Sequence, residues 1–358
     1  MELEGIAIVG LAAQLPSGLL SSTDFDYTSF WDFLVTGGKA YEPLENVLPD
    51  FVRASTQVKL PAKGSFLKNV ASFDNISLGI STKDARMTPY CARRLLDLSF
   101  QALFDSGIDS RRRNIGCFMS GNRPGHMNAP GALEKGIDAE GSFSGTPYSM
   151  ANRISYALDL TGPSLQLDTA CSSSLTALHL AATAIRQGDC EAALVGAAQI
   201  NRELSEWTTY VQGGILAADG MSRPLDAEAA GFGRGEAAVV VVLKPLKDAI
   251  RDHDHIYSTV LGSAIKATGS QMPLYVPNGV VLEECIRRAY ERSGLRISDV
   301  DYVELHATGT SVGDPIEANV AGRLFAKDNP EDSPIVLGAV KGNIGYLCHK
   351  PYLATRAD

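Results

Sequence analysis

No two cysteines in this chain of 358 residues form a Cys-x-x-Cys pair. The six that occur, Cys91, Cys117, Cys171, Cys190, Cys285 and Cys348, are scattered. That argues against a zinc site and against a disulfide framework, so no metal is expected. Long apolar runs are missing as well. The stretch Ala237 to Leu243 is far short of the ~20 residues a bilayer span needs, and no membrane segment is expected. The start, MELEGIAIVG, puts Glu2 and Glu4 where a signal peptide carries Lys or Arg. A cytoplasmic location is therefore expected. No Lys/Arg face stands out against a net charge of −9, which removes the electrostatic footprint of a nucleic-acid partner.

What is present is ordinary for a globular protein, with 45% apolar and 20% charged residues. The length allows two domains or one large one. Strand-like runs alternate with amphipathic helices, which predicts an α/β layered fold. Strands are expected at Gly5 to Gly10, Ile115 to Ser120, Glu191 to Ile200 and Ala237 to Leu243. Leu95, Leu98, Ala102 and Leu103 recur at helical spacing within Arg94 to Ser106. RLLDLSFQALFDSGI is a helix closed by Ser-Gly and followed by the strand NIGCFMSG. LEECIRRAYERSGL is also closed by Ser-Gly and followed by DYVELHATGT. The repeat suggests two duplicated α/β halves, each with chemically loaded residues just past a strand end.

The stretch LDTACSSSL poses the main question about chemistry. A helix from Ser172 to Arg186, ended by Gly188, places Cys171 at a strand-to-helix turn. Unsatisfied N–H groups and the positive end of the helix dipole then face its sulfur, favouring the thiolate. A serine hydroxyl gains far less without a paired base, so the three serines are assigned to capping and packing. A buried structural cysteine beside capping serines explains this stretch about as well. Two further strand ends break the tie. ELHATGT puts His306 before a Gly-containing turn, and AVKGNIG puts Lys341 and Asn343 in another. Cys171, His306 and Lys341–Asn343 together suggest a thiol acyl-transfer site.

DTACSSSL, HATGT and KGNIG, in that order, resemble the three active-site motifs of β-ketoacyl synthases. The wider resemblance is to the ketosynthase domain of iterative type I polyketide synthases of the fungal kind. It is carried also by IAIVGLAAQLPSG, ISTKDARMTPYCARRLLDLSFQAL, RPLDAEAAGFGRGEAAVVVVLKPL and GDPIEAN, and covers about Gly5 to Gly345. It implies a thiolase-like αβαβα fold of two similar halves, as a homodimer. It also implies decarboxylative condensation, with Cys171 taking an acyl chain from the phosphopantetheine thioester of an acyl carrier protein. The enolate of a malonyl thioester would then attack that acyl group. His306 would stabilise the enolate, with Lys341, Asn343, Thr308 and Thr310 in support and Phe232 and Gly233 shaping the pocket. No cofactor of its own is implied, only the phosphopantetheine of the carrier.

The third family motif continues to a histidine that falls on Tyr346 here. A tyrosine with a reference pKa near 10 can donate a hydrogen bond but is a poor base. His349, three residues on, is not expected to replace it. The stretch YLCHKPYLATRAD departs from the small-residue helix and GFGG-like turn of the family, and Pro351 would break such a helix. The expected division is residues 1–248 for the first half, 249–345 for an incomplete second half and 346–358 for a tail unlike the family. Impaired condensation is expected. The alternative is a non-catalytic fragment acting in dimerisation or carrier binding. A degradative thiolase would need a second catalytic cysteine, and only Cys348 lies in that region.

Overall fold

The computed structural model of the chain describes residues 5–55, 58–121, 149–269, 276–325 and 335–347. Its strands are β1 (Ile6–Gln14), β2 (Glu42–Pro43), β3 (Lys63–Gly64), β4 (Ile115–Gly121), β5 (Ser164–Leu167), β6 (Ala192–Gln199), β7 (Ala237–Pro245), β8 (Ser258–Val260), β9 (Tyr302–Glu304) and β10 (Val336–Gly338). The helices are α1 (Tyr27–Val35), α2 (Leu44–Val47), α3 (Pro49–Ala54), α4 (Thr82–Met87), α5 (Tyr90–Ser106), α6 (Ser149–Ala157), α7 (Ser173–Gln187), α8 (Leu204–Gln212), α9 (Leu246–Arg251), α10 (Gly279–Ser293), α11 (Gly313–Phe325) and α12 (Lys341–Ile344). Among the described residues no helix is long and apolar enough to cross a membrane.

A six-stranded mixed sheet in the order β5-β4-β6-β7-β1-β8 joins the strands of the first half with β8, which comes after residue 248 in the chain. β4 runs parallel to β5 and β6, whereas β7 is antiparallel to β6 and β1. β7 shows why Ala237 to Leu243 is an unbroken apolar run. Ala238, Val240 and Val242 face one hydrophobic cluster with α5 and α6, and Val241 and Leu243 face another with α7. A strand covered on both faces reads as a continuous apolar run instead of an alternating one. Gly10 lets α5 lie close on the sheet, since a Cβ there would come within 2.3 Å of the Ala102 carbonyl oxygen.

Some predicted boundaries shift. β1 extends to Gln14 because its pairing with β7 continues to Ala238. α5 starts at Tyr90, four residues earlier than its periodicity alone suggested, with Pro89 before its first turn. α7 is preceded by a 3₁₀ turn, Ala170–Ser172, so Cys171 lies inside that turn. The second half is built from the same kinds of element on a smaller scale. β9 and β10 form a parallel pair, with Val336 opposite Tyr302. They pack with α10 and α11 around Leu305, Ala307, Val320, Leu324 and Phe325.

Candidate active site

Cys171 is half-buried, one residue after Ala170, whose φ is +54°. A left-handed backbone costs a non-glycine residue about 1–2 kcal/mol, a strain that turns the chain sharply out of β5 and into α7. The serines do not cap α7 as expected, because none of their side chains accepts from its first N–H groups. Ser172 Oγ donates to the Thr169 carbonyl (2.9 Å), and Ser173 Oγ donates to the Ala170 carbonyl while accepting from the Thr169 N–H. They brace the strained turn, and the first N–H groups of α7 are left without side-chain caps. Burial pushes Cys117 up to about 12 and Cys190 up to about 11, and raises Cys285 as well. These three stay thiols near neutral pH. Cys91 is buried in the first turn of α5 against the Ala198 carbonyl.

His306 follows β9, and its setting is a second strained turn, with Ala307 at φ +23°. Glu317 of α11 grips that turn: its two oxygens accept the His306 and Ala307 N–H groups, each at 2.7 Å. Burial raises the Glu317 carboxyl, while those two donors and Lys341 pull it down. Lys341 opens α12 and is fully buried. Its ammonium donates to the carbonyl of Leu305, the residue before His306, at 3.4 Å. Burial lowers Lys341 to about 8, against the fields of Glu304, Glu317, Cys171 and Asp314, which favour the charged form. The buried cation therefore stands in the field of the Cys171 sulfur and against the strand end that carries His306.

Tyr346 is brought to the same place. Its ring is edge-on to His306 at 5.6 Å and to Phe232 at 4.6 Å. Its N–H donates to the Gly233 carbonyl (2.7 Å), and its carbonyl accepts from the Gly235 N–H (2.9 Å). Gly233 is required by close approach, since a Cβ there would lie 2.1 Å from the Gly220 carbonyl oxygen. Tyr346 and Leu347 are both buried, whereas Cys348, His349 and Pro351 lie outside the described residues.

The remaining predicted residues act on the frame around these groups. Asn343 Nδ2 donates to the Gly38 carbonyl at 2.8 Å, and Thr310 Oγ1 accepts from the Gly313 N–H at the start of α11. Thr308 is buried. Three framing residues carried no assigned role in the sequence. Glu317 is one. Asp314, buried, accepts the N–H groups of Gly309, Thr310 and Leu225. Tyr41 is the third: its hydroxyl donates to the Lys341 carbonyl and accepts from the Ser222 N–H, both at 3.0 Å. The signal for the first two was GDPIEAN, two residues after HATGT, where two carboxylates three residues apart share one helix face. Nothing local marks Tyr41, which is 300 residues from Lys341. Among the described residues no group of three His, Cys, Asp or Glu side chains could hold a metal ion.

Family comparison settles what this arrangement descends from. The family described as "Beta-ketoacyl synthase, N-terminal domain" matches residues 3–249, and "Beta-ketoacyl synthase, C-terminal domain" matches 257–349. The chain belongs to the β-ketoacyl synthase family. Relatives of this ketosynthase include a highly reducing polyketide synthase of Strobilurus tenacellus, 46% identical over 344 residues, 95% of this chain and 12% of the relative. The erythronolide synthase EryA2 of Saccharopolyspora erythraea is 36% identical over 97% of this chain and 10% of its own length. The chain thus spans a small part of the curated relatives it matches. Among solved structures, the oxazolomycin ketosynthase domain OzmH KS7 of Streptomyces albus superimposes with a TM-score of 0.84 at 32% identity, covering 96% of this chain and 61% of that one. The module 6 ketosynthase of the bacillaene synthase from Bacillus subtilis gives 0.83 at 29%, covering 96% and 58%. The expected thiolase-like fold and polyketide synthase kinship hold for this ketosynthase.

Proposed function

We propose that the site joins acyl units by decarboxylative condensation, with Cys171 as the nucleophile. The observation that carries this reading is the buried Lys341 ammonium, which lies in the field of the Cys171 sulfur and bonds the strand end bearing His306. The Cys171 sulfur attacks an acyl thioester, the new C–S bond forms as the bond to the carrier sulfur breaks, and the carrier leaves as its thiol with the cysteine proton. A malonyl thioester then loses CO₂, and the electron pair of the broken C–C bond becomes an enolate. The enolate carbon attacks the Cys171 thioester and expels the cysteine sulfur. His306 donates a hydrogen bond to the thioester oxygen where the enolate charge develops, the kind of contact that is stronger in the transition state than before it. Thr308, Thr310, Asn343, Asp314 and Glu317 hold the turns that present these groups, and Phe232 forms part of the pocket wall.

The partners that suit this chemistry are an acyl carrier protein and its phosphopantetheine thioesters, with the chain as a homodimer in the cytoplasm. The cofactor belongs to the carrier, and the chain contributes none. No observation among the described residues favours the non-catalytic alternative. The test is carbon–carbon bond formation from an acyl thioester and a malonyl-carrier protein. Cys171→Ala should remove it, a loss of ~10³-fold or more. In the native chain Cys171 should be alkylated in preference to the other cysteines, and the substitution should abolish that labelling. Product formation that survives in Cys171→Ala, or equal labelling of Cys285, would overturn the assignment.

A further inference from the structure

Position 346 holds a tyrosine where the family motif has a histidine, and what fastens that tyrosine leads to an arginine outside the three active-site motifs. Arg234 is 2% exposed. Its guanidinium lies 4.7 Å from the Tyr210 ring and 5.0 Å from the Trp207 ring. Nη2 donates to Asn201 Oδ1 and, at 2.8 Å, to Glu206 Oε2. Asn201 is itself fixed, since its N–H donates to the fully buried Glu236 carboxylate at 2.7 Å and its Nδ2 donates to the Gly235 carbonyl. A planar cation with donors in a fixed fork, stacked on two aromatic rings, is a rigid anchor.

The residues on either side of this anchor hold Tyr346. Gly233 and Gly235 bond its main chain on both sides, making a parallel bridge between Arg234 and Tyr346. Phe232 packs its ring on Tyr346 at 4.6 Å and on Tyr210 at 6.0 Å. Tyr346 in turn meets His306 edge-on, with 85° between the ring planes. Both main-chain groups of Tyr346 are thus tied to the segment that contains Arg234, and its ring touches the imidazole assigned to the enolate. A tyrosine is a poor base near neutral pH, so packing and orientation are what its ring can supply.

We propose that Arg234 is a positioning residue: through Phe232 and Tyr346 it sets the orientation of the His306 imidazole. The inference rests on the proposed function for the use made of His306, but its primary measurement does not. That measurement is the imidazole proton resonance of His306 in histidine-labelled protein, assigned as the signal lost in His306→Gln. The resonance carries the ring current of Tyr346, so a change in ring placement displaces it. Tyr346→Phe keeps the ring and should leave the signal in place. Tyr346→Ala should displace it, and Arg234→Met should displace it too. In the Tyr346→Ala background Arg234→Met should add nothing, because residues acting along one chain of contacts are not additive. Arg234→Lys keeps the charge but loses the fork. It should displace the signal in the same direction by a smaller amount, and it decides the matter if the methionine variant does not fold.

A His306 signal unmoved in folded Arg234 variants would overturn the proposal. So would an equal displacement with and without the Tyr346 ring. In turnover, Arg234→Lys should lower the rate of malonyl decarboxylation about tenfold with KM unchanged, since misplacement of a reacting group acts on the chemical step. A fall in both through lost stability alone would count against positioning. Acylation of Cys171 is followed in parallel. Its absence in the unmutated chain would count against the proposed function, while the resonance still decides the role of Arg234.

Discussion

Helices α5 and α10 finish in the same way. In α5, Ser106 Oγ donates to the Leu103 carbonyl and accepts from the Ile108 N–H, and Gly107 closes the helix at φ +68°. In α10, Ser293 Oγ donates to the Tyr290 carbonyl and accepts from the Leu295 N–H, with Gly294 at φ +70°. Their burial differs sharply. α5 buries Leu95, Leu96, Leu98, Ala102 and Leu103 against the six-stranded sheet, and every residue of β4, the strand after it, is buried. α10 buries only Ser293, and among the described residues β9 pairs with β10 alone. A helix end is a local device, decided by a serine and a glycine within four residues. Burial is decided by what lies across the sheet.

The largest expected test of that contrast is in the cores. Leu98→Ala removes a side chain that is 1% exposed and should cost about 2–5 kcal/mol. Ile286→Ala, at the corresponding half-buried face of α10, should cost about 1 kcal/mol. Denaturant midpoints compare them, and equal losses would mean that the second half is as tightly packed as the first.

The buried cations sharpen the comparison next. Arg94 of the first half is paired with Asp97 at 2.8 Å. Lys341 of the second half has its ammonium on the Leu305 carbonyl, and burial lowers it to about 8 from 10.5. Between those two values the unfolded chain binds more protons than the folded one. Stability should therefore rise with pH across that window, by roughly 3 kcal/mol in all, and the cost of the buried charge is present in full below it. Lys341→Met should remove this rise. Unfolding free energies between pH 7.5 and 10.5, taken as the difference between the two proteins, isolate the effect from the tyrosines and cysteines that titrate nearby. An unchanged slope would mean that Lys341 keeps an ordinary lysine pKa.

The smallest effect concerns the shared cap. Gly107→Ala and Gly294→Ala each place a Cβ in the left-handed region and should each cost about 1 kcal/mol. A much smaller loss at Gly294, read from the same midpoints, would show α10 opening before the molecule unfolds as a whole.

Sequence reading located β4, β6, β7, α5 and α7 well because each is long and its apolar period is set by a face it buries. It placed Cys171, His306 and Lys341 at strand ends for the same reason. It assigned the serines after Cys171 to capping because Ser is a common helix cap, whereas they brace the turn behind the cysteine. It passed over Arg234, Tyr41 and the carboxylates of α11. Each works through a contact more than local in the chain, or through a main-chain group whose place a side-chain pattern does not show.

Local chemistry in the chain was enough to determine the family motifs, the two Ser-Gly helix ends and the apolar strands, since these depend on neighbours a few residues away. Only the tertiary structure decided that the Lys341 ammonium lies in the field of the Cys171 sulfur, that Glu317 holds the His306 turn, and that Tyr346 is clamped between Gly233 and Gly235. Those relations join residues as much as 170 positions apart, from Cys171 to Lys341. They exist because two sets of strand ends meet, and the burial that follows changes the charge, strain and orientation of each group.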